Sequence, residues 1–271
     1  MTIAAGFLNQ EGALLCADTE HQGYAMKVQD RKIVNFPIAN AHLTFAYAGN
    51  GLFARSAIQK CEKKLRAKRS KDVAAEIEKI LAREYRVNVL SHPDHATDIN
   101  LSYRFLICTW FPHEGLALYV TDQTAMAQVQ LYDCIGIGDA LAHYCIRSYF
   151  FPQMRPRDLL SLAIYALASV KDYVPGCGGF SQFAYIHEDG RVTEGALLKD
   201  EHIENYVKQY DHLTRALLLN MADLELSDAD FKDRLDTFNL HVISTRDEWI
   251  KDQQLRYLIS TILGEEFKPT T

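Results

Sequence analysis

Residues 1–18 read MTIAAGFLNQEGALLCAD, and this stretch decides the fold. It holds two apolar runs, residues 2–8 and 13–18, which are separated by the turn-forming cluster Asn9-Gln10-Glu11-Gly12. Short apolar runs joined by such a cluster predict a β-hairpin. Both faces of each predicted strand are apolar, so we expect other parts of the chain to cover both of them.

The same stretch contains a potential nucleophile. We expect Met1 to be removed, because aminopeptidases act when the second residue is small, and Thr2 then becomes the first residue. A threonine hydroxyl needs a base to attack, and a terminal threonine carries one in its own α-amino group. That amine titrates at about pH 8, so part of it is neutral in the cell. The alternative is that Thr2 is only the second residue of a first strand.

Size and composition indicate a globular protein. The chain has 271 residues, of which 48% are hydrophobic, and this is enough for a sizeable core. A net charge of −6 without a basic stripe argues against nucleic acid as a partner. No apolar segment is long enough to cross a bilayer and the start lacks a basic region, so we expect a cytoplasmic protein with no membrane partner. Six widely spaced cysteines without CxxC spacing indicate reduced, buried thiols.

Hydrophobic periodicity predicts groups of strands that alternate with pairs of helices. The predicted strands cover residues 2–8, 13–18, 32–36, 43–48, 103–111, 116–121, 127–132, 180–187 and 191–198. The predicted helices cover about 52–65, 71–85 (with Ser70 as the N-cap), 140–150 and 157–173, and residues 134–139 are predicted to lead into the third of them. The helix at 157–173 is apolar almost all round, so we expect it to lie between packing partners. From residue 200 the chain is mainly helical, with a break at 224–228.

Strands that are apolar on both faces, grouped around two helix pairs, predict an α+β fold. We expect two stacked antiparallel sheets with helices outside each of them, which is a four-layer αββα sandwich. This domain is predicted to cover residues 2–198. Residues 199–271 are predicted to form a helical C-terminal extension that packs on the domain or on a neighbouring subunit.

Several short stretches together resemble a known family, the N-terminal nucleophile (Ntn) hydrolases, and specifically proteasome β-type subunits and the related bacterial heat-shock peptidase. The resemblance covers residues 2 to about 198, in the order of that family. It is carried by Thr2-Ile3-Ala4-Ala5-Gly6, Leu15-Cys16-Ala17-Asp18-Thr19, Arg31-Lys32-Ile33, Phe45-Ala46-Tyr47-Ala48-Gly49, Ile135-Gly136-Ile137-Gly138, and Lys171-Asp172 before Gly178-Gly179. Each stretch is short, but their joint occurrence behind a Met-Thr start is specific.

The resemblance implies catalytic roles for named positions. Thr2 would be the nucleophile with its amine as the base, and Lys32 would favour the alkoxide while Asp18 holds Lys32 in place. Gly49 would offer its backbone N–H to the oxyanion, and Asp172 would be a supporting carboxylate near the amine. By their offsets from these positions, the residues that shape the substrate pocket would be His21, Asp30, Val34 and Tyr47. The large Tyr47 would shorten this pocket.

The chain departs from the family pattern at two positions of the expected site. Asp139 stands where many active members have serine, and a second carboxylate near the terminal amine would raise its pKa. Cys177 falls at the place of another serine, with two extra residues inserted around it. As a separate nucleophile Cys177 lacks a local partner, so we interpret it as a loop thiol. We expect altered activity rather than its loss.

The sequence therefore predicts a threonine-type hydrolase that cleaves peptide bonds in peptides or unfolded proteins. The resemblance implies a homo-oligomer, as a ring or stacked rings, and needs neither a metal nor an organic cofactor; an unfoldase partner is left open. The loop His92-Pro93-Asp94-His95 lacks the distant ligand that a metal site would need. Two alternatives remain: a catalytically silent subunit of the same fold, and an Ntn amidase acting on a small amide.

Overall fold

The structure is a computed structural model that describes residues 2–22, 27–38, 41–67, 72–194 and 201–264. Its centre consists of two five-stranded antiparallel sheets. In spatial order the first sheet contains β10 (Tyr132–Gly136), β1 (Ile3–Leu8), β2 (Gly12–Asp18), β11 (Ser181–His187) and β12 (Val192–Glu194). The second contains β5 (Ile33–Ile38), β6 (Ala41–Gly49), β7 (Tyr103–Phe111), β8 (Gly115–Asp122) and β9 (Ala125–Val129). A separate two-stranded ribbon, which the sequence did not predict, contains β3 (Glu20–Gln22) and β4 (Lys27–Gln29).

Helices cover the outer face of each sheet. The α-helices of the described residues are α1 (Gly51–Ala67), α2 (Val73–Tyr85), α3 (Asp139–Arg147), α4 (Pro156–Tyr173), α5 (Glu201–Ala222), α6 (Asp228–Lys251) and α7 (Gln253–Leu263). The first sheet packs against α3 and α4, and the second packs against α1 and α2. The predicted α+β sandwich of four layers is therefore confirmed.

The predicted hairpin is β1 and β2, and it is the centre of the first sheet. The two strands pair antiparallel, with Ala4 opposite Ala17 and Gly6 opposite Leu15. Every residue of β2 is buried, as the apolar character of both of its faces requires. Small residues make close contact between the sheets possible: a Cβ atom at Gly6 would lie 3.2 Å from the side chain of Leu118, which belongs to the second sheet. The hairpin thus holds the start of the chain deep inside the sandwich.

Helix α4 lies between packing partners, as its apolar surface predicts. Ten of its residues are buried. It packs on β1 and β2 on one side and on α3, α5 and α7 on the others. Burial of nearly the whole circumference explains why no polar stripe runs along this helix.

One predicted strand, residues 127–132, is wrong as a single element. The chain leaves the second sheet after β9, which ends at Val129, and enters the first sheet as β10, which begins at Tyr132. The stretch 134–139 leads into helix α3, as predicted, but its first part up to Gly136 belongs to strand β10, which pairs with β1. Hydrophobic alternation cannot reveal a crossing between two sheets whose faces are both buried.

Some predicted boundaries shift. Helix α2 begins at Val73, and its N-cap is Asp72, whose side chain accepts a hydrogen bond from Ala75 N; the predicted cap, Ser70, lies outside the described residues. Strand β12 ends at Glu194, and the last part of the predicted strand, 195–198, also lies outside them.

The C-terminal helices differ in their contacts with the sandwich. Helix α7 buries Ile259, Ile262 and Leu263 in the core that covers the first sheet. Helix α6, in contrast, has no buried residue along its whole described length. Within the described part of the chain, no helix has the length and apolar character needed to cross a bilayer.

Candidate active site

The start of β1 holds a threonine, a lysine and a carboxylate together. Lys32 lies just before β5, and its Nζ donates to Thr2 Oγ1 at 2.5 Å and to Asp18 Oδ1 at 2.8 Å. Thr2 is 1% exposed, and Asp18 and Lys32 are 0% exposed. The three residues come from three strand ends that meet at one edge of the sandwich. The geometry thus brings the predicted nucleophile into direct contact with the predicted cation.

Asp18 is the residue that holds this cluster in place. Besides the ion pair with Lys32, its Oδ1 accepts from Ile3 N at 3.2 Å and its Oδ2 accepts from Gly178 N at 2.9 Å. One carboxylate therefore ties together β1, the lysine and the loop before β11. A buried carboxylate is tolerated when such donors surround it.

Burial controls the protonation of the ion pair. It raises the pKa of Asp18 above its usual value, although the Lys32 charge opposes this. Burial likewise lowers the pKa of Lys32, against the opposing charges of Asp18 and Glu20. A lowered pKa makes it easier for Lys32 to give up its proton, and a group that exchanges protons with the hydroxyl it contacts needs this property.

Two site residues were not predicted from the sequence. The Gln182 side-chain oxygen accepts from the backbone N–H groups of Lys32 at 2.9 Å and Ile33 at 3.1 Å, so it fixes the backbone that carries the lysine. The Glu20 carbonyl accepts a further hydrogen bond from Lys32 Nζ. Neither stands in a motif; the only signal is for Gln182, a polar residue inside the apolar predicted strand 180–187, whereas Glu20 lies in a polar stretch that gives none.

The Thr2 backbone is fixed by the turn after β10. Its carbonyl accepts from Ile137 N at 3.0 Å. Gly136 has a φ of +112°, and a Cβ atom there would lie 2.0 Å from Thr2 O. Only glycine therefore lets this turn approach Thr2 so closely.

Gly49 ends β6 at the same edge of the sandwich. Its φ is +99°, and a Cβ atom would lie 2.3 Å from Ser102 O, so the position requires glycine. The preceding residue, Ala48, has its methyl group 3.3 Å from the Cβ position of Gly136, the residue that touches Thr2. The role of Gly49 in binding an oxyanion stays a prediction.

Three of the four predicted pocket residues meet at the start of α1. A Cβ atom on Gly51 would lie 3.4 Å from the His21 ring and 3.6 Å from the Tyr47 ring. The Tyr47 hydroxyl donates to Arg31 O at 3.1 Å and lies 3.5 Å from Asp30, which forms an ion pair with Arg55 of α1.

Charge at this pocket is low apart from the Asp30–Arg55 ion pair. Burial and the Lys32 charge lower the pKa of His21, so its ring is neutral at pH 7. The fourth predicted residue, Val34, is half-buried and packs against the core between the second sheet and its helices. The role of all four in binding substrate stays a prediction.

The two further predicted carboxylates lie nearer the surface. Asp139, in the first turn of α3, is partly exposed, and its Oδ2 lies 3.7 Å from Arg104 Nη1. The positive charge of Arg104 offsets the negative charge of Asp139, which the sequence analysis expected to raise the pKa of the Thr2 amine. Asp172 lies in the last turn of α4 with an exposed side chain. Their catalytic roles stay predictions.

Cys177 lies in the loop before β11, as interpreted from the sequence, and its side chain is buried next to the cluster. Its Sγ lies 3.4 Å from the Cβ position of Gly138. Burial, and then the charge of Asp18, raises the pKa of its thiol to about 12. The thiol is therefore protonated at neutral pH and is a poor nucleophile.

Two opposed antiparallel sheets with helices on both outer faces, and a buried threonine at the start of the first strand, define the Ntn hydrolase class. The model of the family described as "Proteasome subunit" matches residues 2–186, so the chain belongs to that family.

Solved structures agree with this assignment. Anbu (ancestral beta-subunit) from Yersinia bercovieri is 16% identical, with a TM-score of 0.67 over 82% of this chain and 97% of that chain. The Anbu Gly-1 mutant from Hyphomicrobium sp. strain MC1 is 14% identical, with a TM-score of 0.68 over 82% of this chain and 100% of that one. The Anbu complex from Pseudomonas aeruginosa, described as a helical assembly, is 15% identical, with a TM-score of 0.65 over 84% and 99%. At these identities the likeness shows the fold alone. No curated protein matches the chain.

Proposed function

We propose that the chain is a threonine-type Ntn hydrolase that cleaves peptide bonds after removal of Met1. The observation that carries this proposal is the 2.5 Å contact of Lys32 Nζ with Thr2 Oγ1 inside a fully buried cluster. A structural role alone does not need a lysine aimed at a hydroxyl, because a buried cation is costly to keep. The same cluster would activate a hydroxyl for attack on a carbonyl.

In the proposed reaction Thr2 Oγ1 attacks the carbonyl carbon of the substrate. The freed Thr2 amine takes the hydroxyl proton, assisted by Lys32, and gives it to the leaving amine of the product. The Gly49 N–H donates to the tetrahedral oxyanion. Water then hydrolyses the ester that joins the substrate acyl group to Thr2. While Met1 is attached, the nitrogen of Thr2 is an amide and cannot act as this base.

The test is the intact mass of the purified protein before and after treatment with a peptide vinyl sulfone. We expect loss of the Met1 mass and a single adduct on wild type. The adduct should persist in Thr2→Ser, which keeps a hydroxyl, and disappear in Thr2→Ala, which does not. Retained Met1 in protein made with normal processing would instead identify a catalytically silent subunit. An adduct formed without any hydrolysis of peptides would favour an amidase that acts on small amides.

We further propose that the active form is a homo-oligomer. Exposed leucines on α5 and α6, such as Leu219 and Leu240 at 63% and 67% exposure, support this. So does the helical assembly of the Pseudomonas aeruginosa relative. In this proposal residues 2–198 form the hydrolase domain and 199–271 an extension that serves assembly. Sedimentation should give the mass of several chains. A monomeric mass would contradict the proposed assembly but would leave the proposed reaction at Thr2 unaffected.

A reducing compartment such as the cytoplasm is the proposed location. All six cysteines are free and buried. Disulfides form in secreted proteins, whereas thiols of this kind persist where glutathione keeps them reduced. A protein isolated from its native cells should therefore show six reactive thiols after unfolding, and fewer would contradict the proposal.

A further inference from the structure

Thr2 and Lys32 come from different sheets. Thr2 directly precedes β1 of the first sheet, whereas Lys32 directly precedes β5, which is the edge strand of the second sheet. The hydrogen bond from Lys32 Nζ to Thr2 Oγ1 therefore crosses from one sheet to the other. Its length depends on where the Lys32 backbone lies relative to the first sheet, so a contact that fixes this backbone bears directly on the site.

Gln182 connects the two sheets at this point. It lies on β11 of the first sheet, opposite Ala17, the residue before Asp18. It is buried, and its Oε1 accepts hydrogen bonds from Lys32 N at 2.9 Å and from Ile33 N at 3.1 Å. One side chain of the first sheet thus holds the backbone at the start of β5.

The two hydrogen bonds define the conformation of the Lys32 backbone. In an extended strand successive N–H groups point to opposite sides, so two neighbouring N–H groups reach one oxygen only where the backbone turns. The Lys32 carbonyl still pairs with the second sheet, because it accepts from Tyr47 N at 3.1 Å. The turn towards Gln182 therefore sets the direction in which the lysine side chain leaves the backbone.

The amide of Gln182 is fixed in one orientation. Only its oxygen can accept from the two N–H groups, so its Nε2 must point the other way. Within the described part of the chain this Nε2 is buried and has no hydrogen-bond partner. A buried donor without a partner is destabilising, and such a group calls for an explanation. The need for the oxygen of the same amide at the start of β5 supplies one.

We propose that Gln182 is a positioning residue, which holds the Lys32 backbone at the place from which its Nζ reaches Thr2 Oγ1. The inference rests on the proposed function, since it concerns how Thr2 is activated. Gln182 acts through Lys32, because its side-chain oxygen accepts from the backbone N–H groups of Lys32 and Ile33. A displacement of about 1 Å that starts away from the chemistry can reduce a rate about a hundredfold. Loss of the Gln182 oxygen should therefore slow the reaction without removing any reacting group.

The experiment measures the labelling of Thr2 by a peptide vinyl sulfone in wild type, Gln182→Met and Gln182→Glu, each at the pH where it reacts fastest. Methionine is similar in length to glutamine but offers no amide oxygen. In Gln182→Met we expect the rate at saturating vinyl sulfone to fall about a hundredfold. The concentration that gives half of this rate should change much less, because the substitution acts on the reacting groups rather than on binding of the peptide. Gln182→Glu keeps an oxygen acceptor, so it should recover most of the loss.

The matched control removes a similar hydrogen bond elsewhere in the sandwich. Thr121 is buried on β8, and its Oγ1 accepts from Phe105 N at 2.8 Å. Thr121→Val should therefore lower the free energy of unfolding about as much as Gln182→Met does, yet leave labelling at the wild-type rate. Equal losses of labelling in the two variants would mean that lower stability alone slows the reaction, and would overturn the role of Gln182.

Two further results would overturn the role of Gln182 alone. One is labelling of Gln182→Met at the wild-type rate, and the other is a change confined to the half-saturating concentration. If Gln182→Met does not fold, Gln182→Asn decides the question. Its oxygen is set back by one methylene group and cannot reach both N–H groups, so labelling should slow, and a wild-type rate would contradict the inference.

Absence of labelling in wild type at every pH would overturn the proposed function itself. Hydrogen exchange at the Lys32 and Ile33 amides then still tests the contact, because it needs no chemistry at Thr2. Faster exchange in Gln182→Met than in wild type supports the hold of Gln182 on this backbone, and equal exchange contradicts it.

Discussion

The cluster around Thr2 and the hairpin of α5 and α6 use polar and apolar side chains in opposite ways. In the cluster, Lys32 and Asp18 are completely buried, and Lys32 Nζ donates hydrogen bonds to oxygen atoms of Thr2, Asp18 and Glu20. In the hairpin, Leu224 is 93% exposed, and no residue of α6, whose full length is described, is buried. A cavity of about 880 Å³, lined by residues such as Leu213 and Phe238, lies between its two helices.

This difference shows that the cluster finds all its packing partners within one chain, whereas the helical hairpin does not. Buried charges are tolerated only when partners surround them, and the sandwich supplies these partners from its own strands. Exposed leucines over several helical turns gain nothing from the fold of a single chain, and such surfaces mark sites of interaction. The first region is therefore complete within one chain and is the proposed site of catalysis, whereas the second presents an exposed apolar surface.

Breaking the buried ion pair should have the largest effect. Lys32→Met leaves the Asp18 carboxylate buried without its cation, and loss of one partner of such a pair costs about 3–5 kcal/mol of the free energy of unfolding. Labelling of Thr2 should fall at least about a thousandfold, because the hydroxyl loses its activating group. Chemical denaturation and the labelling rate measure the two effects.

The matched control for this variant is an ion pair on the surface. Arg66 contacts Glu62 at 2.7 Å, and the two side chains are 54% and 35% exposed. Arg66→Met should cost only about 0.5 kcal/mol and leave labelling unchanged. Equal costs for the two variants would show that the cluster is not the tightly held site described above.

Displacing the first strand should have the next largest effect. In Gly136→Ala the new methyl group would overlap Thr2 O, and the residue would keep a positive φ. We expect a loss of about 2–5 kcal/mol and a labelling rate reduced at least about tenfold, because Thr2 moves relative to Lys32.

Gly115→Ala separates the two causes of this loss. Gly115 also has a positive φ, +75°, but its Cβ atom would meet nothing within 4 Å. It should therefore cost only about 1–2 kcal/mol and leave labelling at the wild-type rate. If both variants lose the same free energy of unfolding and are labelled at the wild-type rate, the contact between the turn and Thr2 does not contribute to activity.

One substitution made in both regions compares them directly. Leu167→Ala in α4, where Leu167 is 1% exposed, should cost about 3 kcal/mol through lost burial and a cavity. Leu219→Ala in α5, where the side chain is 63% exposed, should cost less than about 0.5 kcal/mol in one chain. Denaturation at low protein concentration measures both values. A large cost at Leu219 under these conditions would mean that α5 is held by its own chain.

Much of the sandwich could be predicted because its signals are local. The hairpin of β1 and β2 follows from two apolar runs around Asn9-Gln10-Glu11-Gly12, and α4 follows from its apolar surface. The crossing from β9 to β10 could not be predicted, since both ends of the stretch 125–136 are strands and only the pairing of Ile3 with Gly136 reveals the second sheet. Sequence patterns report which faces are buried, not which sheet buries them.

The site shows the same limit. Thr2, Asp18 and Lys32 could be singled out because they stand in stretches that resemble a family, and their side chains do meet. Glu20 and Gln182 could not, because their importance comes from contacts with residues 158 and 150 positions away, namely Gly178 and Lys32. A Cβ atom on Gly178 would lie 2.4 Å from Glu20 Oε2, and this clash exists only in the folded chain.

The smallest expected effect on one chain is also the one that tests the hairpin surface. Leu240→Lys replaces a side chain that is 67% exposed, so it should change the free energy of unfolding of a single chain by less than about 0.5 kcal/mol. If copies associate through α6, the buried ammonium lacks a partner, and the sedimenting mass should fall. Asn239→Lys adds the same charge at the neighbouring exposed position and is the control.

A fall in mass in Leu240→Lys alone assigns assembly to the exposed leucines. An equal fall in both variants would mean that added charge, rather than the apolar surface, disrupts the oligomer. Unchanged mass in both would place the interface elsewhere on the chain.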